Sequence, residues 1–238
     1  MKIRIKFRKY GNMKFIGHLD VMRYFQKAMR RADVDIRYSE GFSPHQIMSF
    51  AAPLGVGLTS RGEYMDIEVH STGSTSEMVE RLNAVMVEGF QVLDYRKLPD
   101  GAGNAMSLVS AADYTVRFRE GYEPENEEEF FDGLLAFCGR ESIPIVKKTK
   151  KGEREMDLKP LIYDLHLVSD GGRPAVFMRI STGSSDNVKP ELVMETYCQE
   201  KGISCTPFTF EIQREELYAP GFVPLGDLGE IIEQTDCN

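Results

Sequence analysis

The chain has 238 residues, 42% of them hydrophobic and 28% charged, with a formal charge of −8. That length suits one large domain or two of roughly 100–150 residues. No apolar run approaches the roughly 20 residues of a spanning helix, and the alternating start, Met-Lys-Ile-Arg-Ile-Lys-Phe-Arg-Lys, lacks the apolar core of a signal peptide, so a cytoplasmic protein with no membrane partner is expected.

Residues 2–9 alternate Ile3, Ile5 and Phe7 with Lys2, Arg4, Lys6 and Arg8, which predicts a half-buried strand with a basic exposed face. After a turn at Tyr10-Gly11-Asn12 the period lengthens. Leu19, Met22, Phe25, Met29 and Ala32 recur at three- and four-residue spacings, predicting a helix over 18–32 with one apolar stripe. Residues 35–39 predict a short strand. "SEGFSPHQ" (39–46) is turn chemistry, with Gly41 permitting positive φ and Pro44 holding Ser43 extended. Extended segments follow at 47–52 and 63–69, a helix at 75–88 and a strand at 90–97. "LPDGAGNAMS" (98–107) reads as a linker. The order of elements then starts again: strand 113–119, acidic helix 126–139, strand 143–148 entering the basic hairpin "KKTKKGERE", a β pair at 161–168 and 175–180, a helix at 188–200 with Pro190 in its first turn, and a strand at 208–214. The expected fold class is therefore α+β: two tandem ferredoxin-like (β-α-β-β-α-β) units with antiparallel sheets, at 1–100 and 108–218, and an irregular tail at 219–238.

The four cysteines, Cys138, Cys198, Cys205 and Cys237, form no C-x-x-C pair and match no zinc or iron–sulfur spacing; they read as free thiols in a reducing compartment. Gly-rich nucleotide loops and nucleophile elbows are missing too. No cofactor and no metal are expected.

Charge is segregated. Residues 1–48 hold eleven bases against four acids, a balance of +7, which leaves −15 on the remainder. A basic end on an acidic body points to a polyanion or an acidic partner surface. On the helix, Arg23, Lys27, Arg30 and Arg31 share a face and suit phosphate contacts. Tyr24 and Tyr38 are candidates for stacking on bases, whereas Phe15 and Phe42, taken singly, are expected in the core. A second basic cluster, Lys147, Lys148, Lys150, Lys151, Arg154 and Lys159, either caps a solvated hairpin or completes a polyanion channel. The expected nucleic-acid-binding set is Arg4, Lys6, Arg23, Lys27, Arg30, Arg31, Tyr38, Ser43, His45, Lys148 and Lys151. A rival reading is catalytic. Should the 39–46 turn fold over the helix start, His18, Asp20 and His45 would converge for metal binding or acid–base work. Asp20 alone is accounted for by the positive end of the helix dipole.

The stretch "GHLDVMRYFQKAMRRADVDIRYSEGFSPHQIMSFAAPLGVGLTSRGEYMDIEV" resembles the radical-SAM-linked protein family, a bacterial domain of unknown function that stands alone or follows a radical-SAM enzyme. The signature positions are His18, Leu19, Asp20, Arg23, Arg30, Arg31, Ala32, Ser39, Gly41, Phe42, Pro44 and His45, with weaker likeness at "DLKPLI" and "VKPE". Gly17 replaces the usual Ser, Ser43 an Asn, and Gln46-Ile47 a Pro-Lys pair. The resemblance implies a radical-SAM enzyme as partner, since this chain has no cysteine triad of its own. A looser, fold-level likeness is to tandem ferredoxin-like CRISPR repeat-processing RNA endonucleases. Together these readings imply a non-catalytic RNA-binding or substrate-presenting module acting with a radical-SAM enzyme in tRNA or rRNA modification or processing. The alternatives are an endoribonuclease-like or metal-assisted hydrolase, and an adaptor docking an acidic enzyme surface.

Overall fold

The computed structural model describes residues 1–149, 152–183 and 186–234, with the backbone alone for 147–149. The chain divides into two compact units, residues 1–110 together with 214 onward, and 111–213. The first unit opens with β1 (Lys2–Lys9), α1 (His18–Arg31), β2 (Met48–Phe50), β3 (Thr59–Glu68), α2 (Thr75–Asn83), β4 (Phe90–Lys97) and the short α3 (Ala105–Leu108). Its strands lie in the order β4-β1-β3, with β2 pairing β3, and these three pairings are antiparallel. That is the 4-1-3-2 order of a split β-α-β unit. Ile3, Ile5 and Phe7 of β1 point to the helices and join Phe25 and Met29 of α1 and Met78 and Leu82 of α2 in one core. The stripe α1 buries is Val21, Phe25, Ala28 and Met29; Leu19, expected in it, lies at the first turn and is exposed. The predicted strand at 35–39 is reduced to isolated bridges, Ile36 to Val69 and Tyr38 to Gln46.

The second unit contains β5 (Ala111–Phe118), α4 (Glu127–Cys138), the hairpin β6 (Pro144–Thr149) and β7 (Gly152–Asp157), then β8 (Ile162–Asp170), β9 (Arg173–Ser181), α5 (Pro190–Lys201) and the opening of β10 (Phe210–Ala219). The strand order β10-β5-β9-β8 repeats 4-1-3-2, and the β6–β7 hairpin forms a separate two-stranded sheet. Both units are thus ferredoxin-like and the chain is α+β, as its element order indicates. Gly133 in α4 has a packing reason: a Cβ there would collide with the Tyr197 hydroxyl, which donates to the Phe130 carbonyl. Cys198 and Cys205 correct the reading of free thiols, because they form a disulfide with Cα atoms 6.4 Å apart. The α5 helix ends at Gly202 in the left-handed region, and Ile203 N–H donates back to the Cys198 carbonyl. That reversal returns Cys205 to Cys198. Cys138 is a free thiol, and burial pushes its pKa up to about 11. Cys237 lies outside the described residues.

The end of the chain is not an independent tail. From Arg214 the chain belongs to the first unit. There β11 (Val223–Pro224) pairs with β10, Glu230 exchanges backbone hydrogen bonds with Lys97, and Ile232 joins the α-side core. Among the described residues no helix is long and apolar enough to cross a membrane.

Candidate nucleic-acid interface

The basic face of β1 is covered. Arg4 is 2% exposed; its Nε and Nη2 donate to both Asp66 carboxylate oxygens (2.8 and 3.0 Å) and its Nη1 to the Leu225 carbonyl (3.0 Å). Asp66 also accepts from Ala105 N–H at 2.8 Å, so the α3 segment and the returning chain end roof this face. Lys6 pairs with Glu216 at 2.6 Å above the Tyr64 ring. Burial beside Glu216 pushes the Tyr64 phenol well above its ordinary range. Arg4 is therefore removed from the expected nucleic-acid set, and Lys6 is held in an ion pair. The physical reason is that alternation marks two different faces without saying that the charged one is wet.

The opposite holds on α1. Arg23, Lys27, Arg30 and Arg31 are all exposed. Arg23 lies 3.6 Å from Asp20, one turn earlier, with both side chains in water. Arg31 donates to the Val85 carbonyl and lies over Tyr24. Among the described residues Lys27 and Arg30 have no ion pair. Tyr24 is not a free platform, since it stacks on Phe90 with centroids 4.7 Å apart and donates to Met86.

The segment after α1 folds into a small hairpin. Ser39 N–H donates to the His45 carbonyl, His45 N–H donates to Ser39 Oγ, and that hydroxyl lies 2.9 Å from His45 Nδ1. Ile47 N–H closes the stem on Arg37. Gly41, at φ 107°, allows the reversal. The stem rests on α1 through Gln46, whose Nε2 donates to the Gln26 carbonyl at 3.3 Å. Gln26 is flanked on the helix by Arg23, Lys27 and Arg30. Tyr38, nearly half exposed, shares a groove of about 600 Å³ with Arg30, Arg81, Asp33 and Thr72. Arg30, Tyr38 and the hairpin are thus brought together. His45 and Ser43 are exposed on that hairpin, with His45 bonded to Ser39. Phe42 corrects the core expectation, because it stands fully exposed at the tip, and Phe15 is exposed as well.

His18, Asp20 and His45 do not converge. The hairpin meets α1 at Gln26, eight residues past His18, about 12 Å along the helix. The His18 ring instead packs edge-on against Phe50, 5.3 Å between centroids, while Asp20 is exposed beside Arg23. No group of three His, Cys, Asp or Glu side chains among the described residues is placed to hold a metal. The turn is too short to reach back to the helix start.

What His18 does approach is a cluster that sequence reasoning missed. Lys9, Glu63 and Arg214 are each at least 95% buried. Arg214 grips both Glu63 oxygens at 2.7 Å, and Lys9 Nζ donates to the Ile16 carbonyl at 3.2 Å. Burial, with Arg214 nearby and against the opposing pull of Glu63, lowers the Lys9 pKa. The space that Lys9 and Glu63 share with His18, Phe50 and Leu54 is about 10 Å³, room for at most one water. No substrate fits there. The cluster ties β1 and β3 to the returning strand β10. No spacing in the sequence signals it, since Glu63 and Arg214 are 151 residues apart.

In the second unit, Arg154 of the β6–β7 hairpin lies 3.6 Å from Asp186 and Lys159 donates to the Cys138 carbonyl. Lys151 and the Lys148 side chain lie outside the described residues.

The fold and this face define a class: two consecutive split β-α-β units, the first carrying a basic helix and an aromatic-tipped hairpin. Within that class the chain belongs to the bacterial family described as "Uncharacterized protein conserved in bacteria (DUF2344)", whose model matches residues 2–190. No curated protein matches. Among solved structures the chain is similar to one in a crystal structure of a Cbf5-Nop10-Gar1 complex, with a TM-score of 0.45 and 11% identity over 90% of this chain and 48% of that one. It is also similar to an unknown protein from Galdieria sulphuraria, with a TM-score of 0.25 and 11% identity over 90% and 96%. The chain spans about half the length of the first. At these scores neither likeness bears on function.

Proposed function

We propose that the protein is a non-catalytic RNA-binding module that presents its RNA to a radical-SAM enzyme. The observation that carries the RNA half is the α1 face. Four cations stand in water on one helix, Lys27 and Arg30 without an acidic partner among the described residues, and the 39–46 hairpin rests beside them. Guanidinium and ammonium groups so displayed neutralise phosphates, and the Tyr38 ring next to Arg30 adds a flat surface for a base. The enzyme half rests on the sequence resemblance. A surface suited to it is the exposed apolar group Phe15, Leu19 and Val56 around the start of α1, where the Val56 side chain lies beside Gly17.

The test is RNA binding by fluorescence anisotropy across salt concentrations. Affinity is expected to fall steeply with salt, because each neutralised phosphate releases counterions. The double variant Arg23→Glu, Arg30→Glu is expected to lose binding by at least tenfold with the fold intact. Binding that ignores salt, or survives the double charge reversal, overturns the proposal. If the protein binds no RNA yet retains an acidic polypeptide through these same arginines after nuclease treatment, the adaptor reading replaces it.

A further inference from the structure

We infer that Phe42 is a stacking platform for an unpaired base, so that the protein selects single-stranded over duplex RNA; this rests on the RNA-binding reading above. Phe42 is fully exposed at the tip of the 39–46 hairpin, between Gly41 and Ser43-Pro44. Burying a phenyl ring is strongly favourable, yet this chain leaves the ring in water on a stem that is well fixed. Three contacts between Ser39 and His45 close the hairpin, and Gln46 anchors it to α1. A ring presented this way loses little freedom on meeting a ligand. Phe42 is four residues from Tyr38 on one arm and four from Gln46 on the other, so its Cα lies within about 14 Å of both. A strand whose phosphates lie along Lys27 and Arg30 therefore has two aromatic faces, Tyr38 and Phe42, within a few nucleotides.

The chemistry favours a base over other occupants. A lipid surface needs several apolar groups entering together, and the neighbours of Phe42 are Glu40, Gly41, Ser43 and Pro44. A base needs one ring face and nearby cations, and every base has a π-face, so the recognition is of strandedness rather than of sequence. Bases within a duplex are already stacked on each other and are closed to the ring.

The experiment exploits a property of the chain: it contains no tryptophan. In the full-length protein, Phe42→Trp installs a single indole at the tip. Binding of an end-labelled oligoadenylate and of an RNA duplex of equal length is followed by anisotropy, and tryptophan emission is read in parallel. The expected result is that Phe42→Trp binds the single strand at least as well as wild type, with its emission quenched by the single strand and not by the duplex. Phe42→Ala is expected to weaken single-strand binding about 5- to 150-fold and duplex binding not at all. Circular dichroism checks that both variants are folded, as expected for a side chain that touches nothing. Anisotropy showing binding with unchanged tryptophan emission and an unaffected Phe42→Ala overturns the stacking role and leaves the phosphate-binding face standing. Emission that responds to anionic phospholipid vesicles and not to RNA overturns it in favour of a membrane contact. Wild-type protein that binds neither RNA sinks this inference together with the reading it rests on.

Discussion

Two sets of cations, one on β1 and one on α1, have opposite fates. Arg4, Lys6 and Lys9 on β1 are withdrawn into ion pairs, carbonyls and a buried pocket, while Arg23, Lys27 and Arg30 on α1 stand in water. The difference lies in what covers each element. A helix laid on one face of a sheet buries one stripe and leaves the rest of its circumference exposed. A central strand has two faces, and here both are covered: one by α1 and α2, the other by α3 and the returning chain end. Positive charge on β1 therefore builds the unit, and positive charge on α1 is available to a ligand.

The comparison breaks first at Asp66. Asp66→Ala leaves Arg4 buried with two unmet donors and frees Ala105 N–H as well, and removing one partner of a buried pair costs about 3–5 kcal/mol. Urea unfolding followed by circular dichroism is expected to show a loss of that size. A loss below about 1 kcal/mol would mean that Arg4 reaches solvent and that the β1 face is open after all.

Lys9 sharpens the comparison with a smaller effect of definite sign. Its pKa in the folded state is lowered below the ordinary 10.5, chiefly by burial. The folded protein then holds fewer protons than the unfolded chain between the lowered value and 10.5, so this group makes stability rise with pH across that window. Below the window the full cost of burying the charge is present. Lys9→Met keeps the aliphatic stem and removes the charge. The variant is expected to gain on the order of 1 kcal/mol over wild type at neutral pH. That advantage should shrink as pH rises towards 10.5. Stability curves at several pH values check it, and an advantage that grows with pH would reverse the sign and refute the assignment.

The sequence makes some of this legible and some not. The element order of both units could be read from periodicity, because β1, α1, α4 and α5 each keep a regular apolar spacing. The cations of α1 could be read too, since a helix with one apolar stripe must expose the rest. The fate of the β1 cations could not, because Arg4 is decided by Asp66 and Leu225, which are 62 and 221 residues away. Of the α1 stripe, Phe25, Met29 and Ala32 are buried and Met22 packs on the core, whereas Leu19, in the first turn, is exposed. Phe42 reads as a core residue because aromatic side chains are usually packed. Its flanks, Gly41 and Pro44, are residues of a chain reversal, and a side chain at the apex of a reversal has nothing to pack on. That signal was present and outweighs hydropathy. The disulfide depends on the left-handed stop at Gly202, which is visible in the sequence only as one glycine.

The smallest expected effect is the most discriminating. Arg23→Glu and Arg30→Glu, singly, should change unfolding free energy by no more than about 0.5 kcal/mol, because neither guanidinium contributes a buried contact. Arg23 gives up a solvated pair with Asp20, and exposed pairs of this kind are worth a few tenths of a kcal/mol. Arg30 gives up nothing charged among the described residues, although Glu at the end of a helix meets the negative end of the dipole and costs a similar amount. Thermal melts of both variants should therefore overlay that of wild type within a few degrees, in contrast to Asp66→Ala. A large destabilisation at Arg30 would show that its charge is structural, like that of Arg4, and the distinction between a building face and a binding face would fail. Near-silence in folding at these two positions is also what makes a loss of RNA affinity at them attributable to contact with the ligand.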